Sequence, residues 1–328
     1  MEAINHFSRE FGTMGKIVSA LKNITNNPKA LIYYLSHYGF MNLLSDKACL
    51  KLLWRMETGK RLNLENPKGF NEKLQWLKLY DRRPEYTTFV DKVLVREYVR
   101  NCIGEKYLVP LIGIYDNPDQ IDFSLLPDQF VIKCNHNSGA GMCVCTDKTR
   151  LNIQDVKERL KKELQKNFYY EKREWPYKDV IPKLLCEQFL VDRNPLNTSG
   201  TLIDYKFHCF NGEPKFLYVG TDDISDGTKG ELKLSFFDLD WKTPPFYRLD
   251  HEPIAVDVEK PEGFGEMIEV ARKLSKGIPF VRVDLYWINN QVLFSEMTFY
   301  PGGGFGFFTP EEWELKLGEW ITLPPKNI

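Results

Sequence analysis

Two short runs near the C-terminal end constrain this chain most. Arg282-Val283-Asp284-Leu285-Tyr286-Trp287 and Val292-Leu293-Phe294-Ser295-Glu296-Met297-Thr298 are rich in β-branched and aromatic residues and alternate in polarity, so each reads as a strand. Side chains repeat every second residue along a strand, which puts Arg282, Asp284 and Tyr286 on one face and Glu296 and Thr298 together on another. Asn289-Asn290-Gln291 between the runs is turn-like. With those three residues as the loop, Ile288 pairs with Val292 and Asp284 lies across from Glu296, their Cβ atoms roughly 5 Å apart. A two-residue loop would send the carboxylates to opposite faces. The three-residue loop is preferred, because it gathers Arg282, Asp284, Glu296 and Thr298 into one polar patch.

Carboxylates that close together repel unless a cation sits between them. Mg²⁺ suits such a pair, held by one or two carboxylates with substrate phosphates completing its shell, and Arg282 offers a planar fork for a phosphate. A surface hairpin with solvated charges fits the same residues equally well.

With 328 residues the chain has room for one large domain or two to three smaller ones. Its 43% hydrophobic and 27% charged residues allow an ample core. The net charge of −1 argues against a nucleic-acid partner held by bulk electrostatics. No run reaches the roughly 18 apolar residues of a membrane span. The opening MEAINHFSREFG has acids and no long apolar stretch, so no signal peptide and a cytoplasmic location are expected. The seven cysteines (Cys49, Cys102, Cys134, Cys143, Cys145, Cys186, Cys209) are odd in number and scattered, as suits reduced thiols. Cys143 and Cys145 lack a second Cys/His pair at zinc spacing, which predicts buried packing.

Residues 1–60 read as helical, with Ile17, Leu21 and Ile24 on one face and Leu50, Leu53 and Trp54 on another. NLENPKGF (63–70) is a linker, and helical spacing resumes from Phe70 to Tyr80. Asp91 to Val99 is expected to be a helix with Val95 and Val99 inward; Lys92 faces either solvent or a phosphate. Gln129 to Cys134 is a buried strand running into Asn135-His136-Asn137-Ser138-Gly139-Ala140-Gly141, after which Met142 to Cys145 resumes strand character. Such a loop can cradle phosphates through backbone N–H groups, with Lys133 reaching the same anion. A plain tight hairpin is the alternative, and no GxxxxGK[ST] occurs. Asp155 to Phe168 is an amphipathic helix. Leu184 to Leu190 is a buried run holding the acid Glu187. Leu202 to Phe210 alternates, with Asp204, Lys206 and His208 on one face, followed by an Asn211-Gly212 turn and a return strand from Lys215 to Gly220. That row reads as a solvent face unless its sheet meets the 282–298 hairpin. Asp222 to Gly230 reads as a polar loop. Phe264 to Lys276 is a helix stopped by Gly277.

The order Asp91-Lys92, VIKCNHNSGAG, LCEQFL, DYKFHCFNG, RVDLY, SEMTFYPGGG resembles an ATP-grasp domain. NPKGFNEKLQWLKLYDRRPEYTTFVDK with IKCNHNSG and DYKFHCFNGEP is similar to the ATP-grasp branch named after the teichuronopeptide biosynthesis protein, found among surface-polysaccharide genes. The likeness runs from about Asn42 to Pro310. It implies an α+β fold of two lobes whose antiparallel sheets sandwich ATP. The helical region would be 1–85, the first lobe with the phosphate loop 86–190, and the second lobe with the metal hairpin 191–328. It further implies that Lys92 and Lys133 hold ATP phosphates under the loop Asn135, Asn137, Ser138, Gly139 and Gly141. Glu187, Gln188, Phe189 and Leu190 would form the adenine hinge, with Asp192 toward the ribose. Lys206 would reach the phosphates from the second lobe, Arg282 would stabilise the transferring phosphoryl group, and Asp284 and Glu296 would bind Mg²⁺. Thr298 stands where such proteins carry Asn as a third metal ligand. The Gly302–Gly304 run replaces a plainer turn and faces the acceptor on this reading.

The implied reaction is carboxylate–amine ligation: a carboxylate takes the γ-phosphoryl group, becomes an acyl phosphate, and yields an amide to an attacking amine. The family setting points to an amino acid joined to a uronic acid or amino sugar of a capsular glycan, with an association with polysaccharide-synthesis machinery. Three alternatives stand beside it. Asp238-Leu239-Asp240 is a D-x-D of the kind metal-dependent glycosyltransferases use; the other two are a phosphotransferase and a non-catalytic ATP-binding protein on the same fold.

Overall fold

The computed structural model describes residues 40–137, 141–192, 202–222, 232–254 and 257–326. The readings made on residues 1–39, on Ser138 and Gly139, and on 223–230 lie outside the described residues. The chain divides into two compact units, Met1–Asn63 and Leu64–Ile328. In the first, Ser45 caps α1 (Asp46–Thr58) through the Ala48 N–H, and Gly59 ends it in the left-handed conformation that glycine tolerates. Cys49, Leu50 and Trp54 form its buried face.

The second unit opens with α2 (Phe70–Tyr80), α3 (Glu85–Val90) and α4 (Val95–Cys102). Val95 and Val99 face inward. The helix starts four residues later than the spacing of 91–99 predicts, because the Asp91 carboxylate accepts from the Val93 and Leu94 N–H groups and caps the chain there. Lys92 is left in the turn.

A four-stranded antiparallel sheet follows, built from β1 (Leu111–Tyr115), β2 (Phe130–Cys134), β3 (Cys143–Cys145) and β4 (Leu184–Gln188) in the order β1-β4-β2-β3. Helix α5 (Ile153–Leu164) covers one face. Val156 and Leu160 pack there with Phe130, Ile132, Leu184 and the thiols of Cys134, Cys143, Cys145 and Cys186, so these cysteines are core, as expected. The helix stops at Leu164 instead of running to Phe168. The Asn167 side chain accepts from the Tyr169 N–H and starts a separate short turn, α6 (Tyr169–Lys172).

The second sheet has five antiparallel strands, β5 (Asp204–Phe210), β6 (Glu213–Asp222), β7 (Leu232–Asp238), β9 (Phe280–Ile288) and β10 (Gln291–Thr298), in the order β10-β9-β5-β6-β7. The pair β8 (Tyr247–Arg248) and β11 (Phe308–Thr309) lies outside it. Helix α7 (Phe264–Ser275) packs on β5, β6 and β9 with Met267, Ala271 and Leu274 fully buried. At the C-terminal end α8 (Glu312–Glu319) packs against α2.

The hairpin turn differs from the expected one. Ile288 pairs with Gln291, so the loop is Asn289-Asn290 alone, with φ of 50° and 64°. Asparagine is the non-glycine residue most at ease there, and two successive left-handed residues make the tight turn that suits a twisted hairpin. A regular ladder from that turn would oppose Asp284 to Ser295. A bulge between Phe294 and Glu296 takes up the extra residue, and Asp284 pairs with Glu296 after all. We expect Asn290→Val, which forces a β-branched residue into the left-handed region, to cost about 1–2 kcal/mol in urea denaturation. Asn290→Gly should cost nothing. Equal losses would refute the turn assignment.

Candidate active site

The β5–β9–β10 register builds a charged block from side chains on one face. Lys206 lies opposite Asp284, and Asp284 opposite Glu296; His208 lies opposite Arg282, and Arg282 opposite Thr298. The row on β5 is therefore interior rather than a solvent face: Lys206 is 9% exposed, His208 2% and Asp284 0%. Arg282 clamps Asp284 with two bonds, Nε to Oδ1 at 2.7 Å and Nη2 to Oδ2 at 2.6 Å. The same Nη2 donates to Thr298 Oγ1 at 3.0 Å and Glu296 Oε1 at 3.3 Å, and Nη1 donates to the Tyr218 hydroxyl at 2.9 Å. Lys206 Nζ bridges Asp284 Oδ2 at 2.9 Å and Asp204 Oδ2 at 2.8 Å. Lys92 Nζ stands 3.5 Å from Glu296 Oε2.

Burial works against the charge on Glu296, but Lys92, then Arg282 and Lys206, outweigh it and hold the carboxyl down at about 2. Burial, then Asp284 and Glu296, push the Asp204 carboxyl up despite Lys206. Burial and the neighbouring Arg282 drive the His208 imidazole well below its ordinary range, so it is neutral. It stacks on Phe216 at 4.4 Å.

On the first sheet, Glu187 sits between two cations, Arg96 Nη1 at 3.0 Å and Lys133 Nζ at 2.9 Å. Burial disfavours the Lys133 ammonium, yet Glu187, with Tyr286 and Asp204 of the second sheet, raises its pKa overall. Lys92 Nζ donates to the Asn137 carbonyl at 2.6 Å, and its N–H to the Asn135 carbonyl. The Asn135 side chain is spent on backbone, donating to Ile181 O and accepting from Lys183 N–H. Gly141 has φ of 66°, and a Cβ there would meet Glu163 at 2.7 Å. Gln188 donates its N–H to Pro110 O; with Phe189 it lines an open groove of about 830 Å³ that contains none of the block's residues. Leu190 packs with Val109, Ile288 and Leu293. Asp192, half-buried, joins burial in raising the Tyr205 phenol. Away from all of these, Asp238 Oδ1 accepts from the Asp240 and Lys242 N–H groups and closes a turn.

Asp284, Glu296 and the Thr298 hydroxyl are hard oxygen donors of the kind Mg²⁺ takes. Asp204 Oδ1, on the same face, is buried without a hydrogen-bond partner. Among the described residues no group of three or more acidic, His or Cys side chains forms a ready-made cage. The donor set thus fits an ion that brings phosphate oxygens with it.

Residues 72–322 match the TupA-like ATPgrasp family. The chain belongs to this family. It has the α+β ATP-grasp fold, with helices around antiparallel sheets. Among solved structures it is similar to D-alanine–D-alanine ligase from Bacillus anthracis complexed with ATP (13% identity, 64% of this chain and 53% of that one, TM-score 0.35). It is also similar to D-alanine–D-alanine ligase from Helicobacter pylori (14%, 77% and 69%, TM-score 0.41). A third is phosphoribosylamine–glycine ligase from Thermotoga maritima (12%, 65% and 48%, TM-score 0.35). The chain thus spans 53% of the length of the first of these ligases. No curated protein matches it significantly. No described helix is long and apolar enough to cross a membrane.

Three residues in and around the charged block escape the sequence reading. Arg96 lies beside the inward Val95 and Val99, where a charged residue gives no sign of a buried partner. Tyr218 is displaced by a bulge between His208 and Cys209; a regular ladder from the Asn211-Gly212 turn would oppose Leu217, not Tyr218, to Lys206. Glu174 follows Arg173, a non-glycine residue at φ 55°, and no sequence signal marks that conformation.

A depressed carboxyl contributes stability that is present above its unfolded pKa and lost as pH falls through the folded one. Glu296 therefore supports the fold above about pH 4.5 and ceases to as pH approaches 2. In urea titrations from about pH 5 to about pH 2.5, the wild type should lose at most roughly 3 kcal/mol more than Glu296→Gln. Parallel curves would refute the assignment.

Proposed function

We propose that this protein is an ATP- and Mg²⁺-dependent carboxylate–amine ligase working through an acyl phosphate. On this reading it joins an amino acid to a uronic acid or amino sugar in capsular polysaccharide synthesis in the cytoplasm, in association with the polysaccharide-synthesis machinery. Family membership supports the ligase chemistry; the link to surface-polysaccharide genes supports the glycan substrate. The observation that carries the reading is the direct pairing of Asp284 with Glu296 under one guanidinium, Arg282, in a buried sheet.

In this reading Asp284 and Glu296 hold Mg²⁺, and Thr298 orients Glu296. Bound Mg²⁺ supplies neutralisation of the phosphate charge during transfer. Lys92, Lys133 and Lys206 are the ammonium groups available to the triphosphate, and Arg282 meets the charge that develops on the γ-phosphoryl group. The described ends of the loop, Asn135 to Asn137 and Gly141, would flank the phosphates, Glu187 to Leu190 would line the base, and Asp192 would take the ribose. Lys92 and Arg282 are bound to Glu296. With that carboxylate committed to a metal, Lys92 and Arg282 would be free for phosphate oxygens.

Asp284→Asn and Glu296→Gln should each abolish ADP release, screened over uronic acid and amino sugar acceptors with each amino acid, while melting remains cooperative. Retained turnover in both would sink the metal assignment. Lys133→Ala should weaken ATP binding about tenfold or more, the loss typical of a charge-assisted contact; an unchanged dissociation constant would remove Lys133 from the phosphate site.

A further inference from the structure

A cavity of about 150 Å³ opens beside the block, lined by Arg282, Glu296 and Thr298 on one side and by Glu171, Glu174 and Tyr177 on the other, with Gly302 and Gly303 at its edge. Glu174 is 5% exposed, and among the described residues no hydrogen bond or ion pair reaches its carboxylate. Its oxygens are not among the fully buried atoms without a partner; the residue lines the cavity, and a carboxylate so far withdrawn from bulk water gains by a partner there. The chain holds it there by a left-handed turn at Arg173, which is itself buried with its guanidinium over the rings of Tyr169 and Tyr170.

The other charges of the cavity are committed. Arg282 is engaged by Asp284, Glu296, Thr298 and Tyr218. Lys172 donates to the Gly302 carbonyl at 3.0 Å. The nearby Lys78 donates to the carbonyls of Lys172 and Gly303 and to Gln75 Oε1. The uncommitted charge left facing the cavity is negative, so the guest it complements is a cation. Burial pushes the Glu174 carboxyl up to about 7, against Lys78 and Lys172.

We propose that this cavity seats the amine substrate, a primary amine no larger than a small amino acid, with Glu174 receiving its ammonium group. The inference rests on the ligase reading for the fate of that amine. A cavity of this volume accepts a guest about the size of benzene, which glycine, alanine and serine roughly match and a pyranose with its hydroxyls exceeds. The glycan therefore supplies the carboxylate and not the amine. One ammonium proton passes to Glu174. The freed nitrogen lone pair forms the C–N bond to the acyl carbon as the C–O bond to phosphate breaks. The second proton leaves with the phosphate as hydrogen phosphate, and Glu174 returns its proton to solvent. The left-handed Gly303 (φ 67°) lets the Lys172 side chain pack closely at the cavity edge, since a Cβ there would lie 2.0 Å from Lys172 Cδ.

The test is calorimetric titration of the full chain, with Mg²⁺ and a non-hydrolysable ATP analogue, using glycine, L-alanine, L-serine, L-tryptophan and glucosamine. At least one of the three small amino acids should bind, and tryptophan and glucosamine should not. Glu174→Gln should weaken that binding about tenfold or more while leaving the affinity for the analogue unchanged. Glu174→Asp should fall between the two. No binding by any small amine, binding by the two large ones, or equal binding to Glu174→Gln would overturn the proposal. If Glu174→Gln melts early, the size series on the wild type decides alone. ADP release with each bound amine is read separately: saturable binding that Glu174→Gln weakens, without turnover on any acceptor, supports the cavity and sinks the ligase reading.

Discussion

Everything else in the second sheet depends on the two-bond clamp of Arg282 on Asp284. Asp284 has no exposed surface, and an isolated carboxylate there would be intolerable. The guanidinium fork satisfies both its oxygens at once, and Lys206 adds a third bond. Arg282 reaches Asp284 along the same strand, but Lys206 on β5 and the Glu296 and Thr298 partners of Arg282 on β10 are in reach only when β5, β9 and β10 are aligned as they are, because a one-residue slip turns each side chain to the opposite face. Breaking one member of such a buried group typically costs about 3–5 kcal/mol. On the proposed reading, the charges that would serve phosphate chemistry also help to fix the strand register.

The block is balanced: Asp204, Asp284 and Glu296 face Lys92, Lys206 and Arg282. On the proposed reading, each cation meant for phosphate is held by a carboxylate meant for metal. An anionic nucleotide alone would have to break those pairs, and a divalent ion alone would displace cations into a buried space. Together they exchange partners, the ion offsetting part of the nucleotide's charge, which is a physical reason for the two to bind as a unit. Along β5 the same face passes from Asp204 and Lys206 to His208, which is ringed by Phe216, Tyr218, Phe280 and Phe308. The aromatic end supplies the apolar packing and the polar end the chemistry.

The strands and helices around the site are legible because period-2 and period-3.6 patterns are local properties. The 282–298 hairpin, the Asn211-Gly212 turn and the α2 and α7 helices all follow from them. Bulges are not local in this sense. The bulge at Ser295 makes the expected Asp284–Glu296 pairing right for a wrong reason, since the expected three-residue loop is a two-residue one. The bulge at His208 hides Tyr218 from any register argument. Asn167 interrupts a helical pattern that hydrophobic spacing alone would carry to Phe168. The Glu174 cavity is illegible for a further reason: its walls come from segments more than a hundred residues apart, and only tertiary contact joins them.

Thr298 is where the sequence departs from the Asn expected of the fold, and its geometry gives the substitution a physical sense. Its hydroxyl accepts from Arg282 Nη2 at 3.0 Å and lies 3.3 Å from Glu296 Oε1, to which its one proton points. A hydroxyl has one donor and two lone pairs. With the donor on Glu296 and one lone pair on Arg282, a single lone pair is left for any metal. An asparagine would bring an independent carbonyl ligand and two N–H donors, which would need acceptors of their own beside the guanidinium. Threonine gives up most of that ligand capacity and fixes the Glu296 rotamer relative to Arg282 instead. On the proposed reading, metal binding in this branch then leans on the two carboxylates and the nucleotide's own oxygens, and the third protein position serves to aim Glu296.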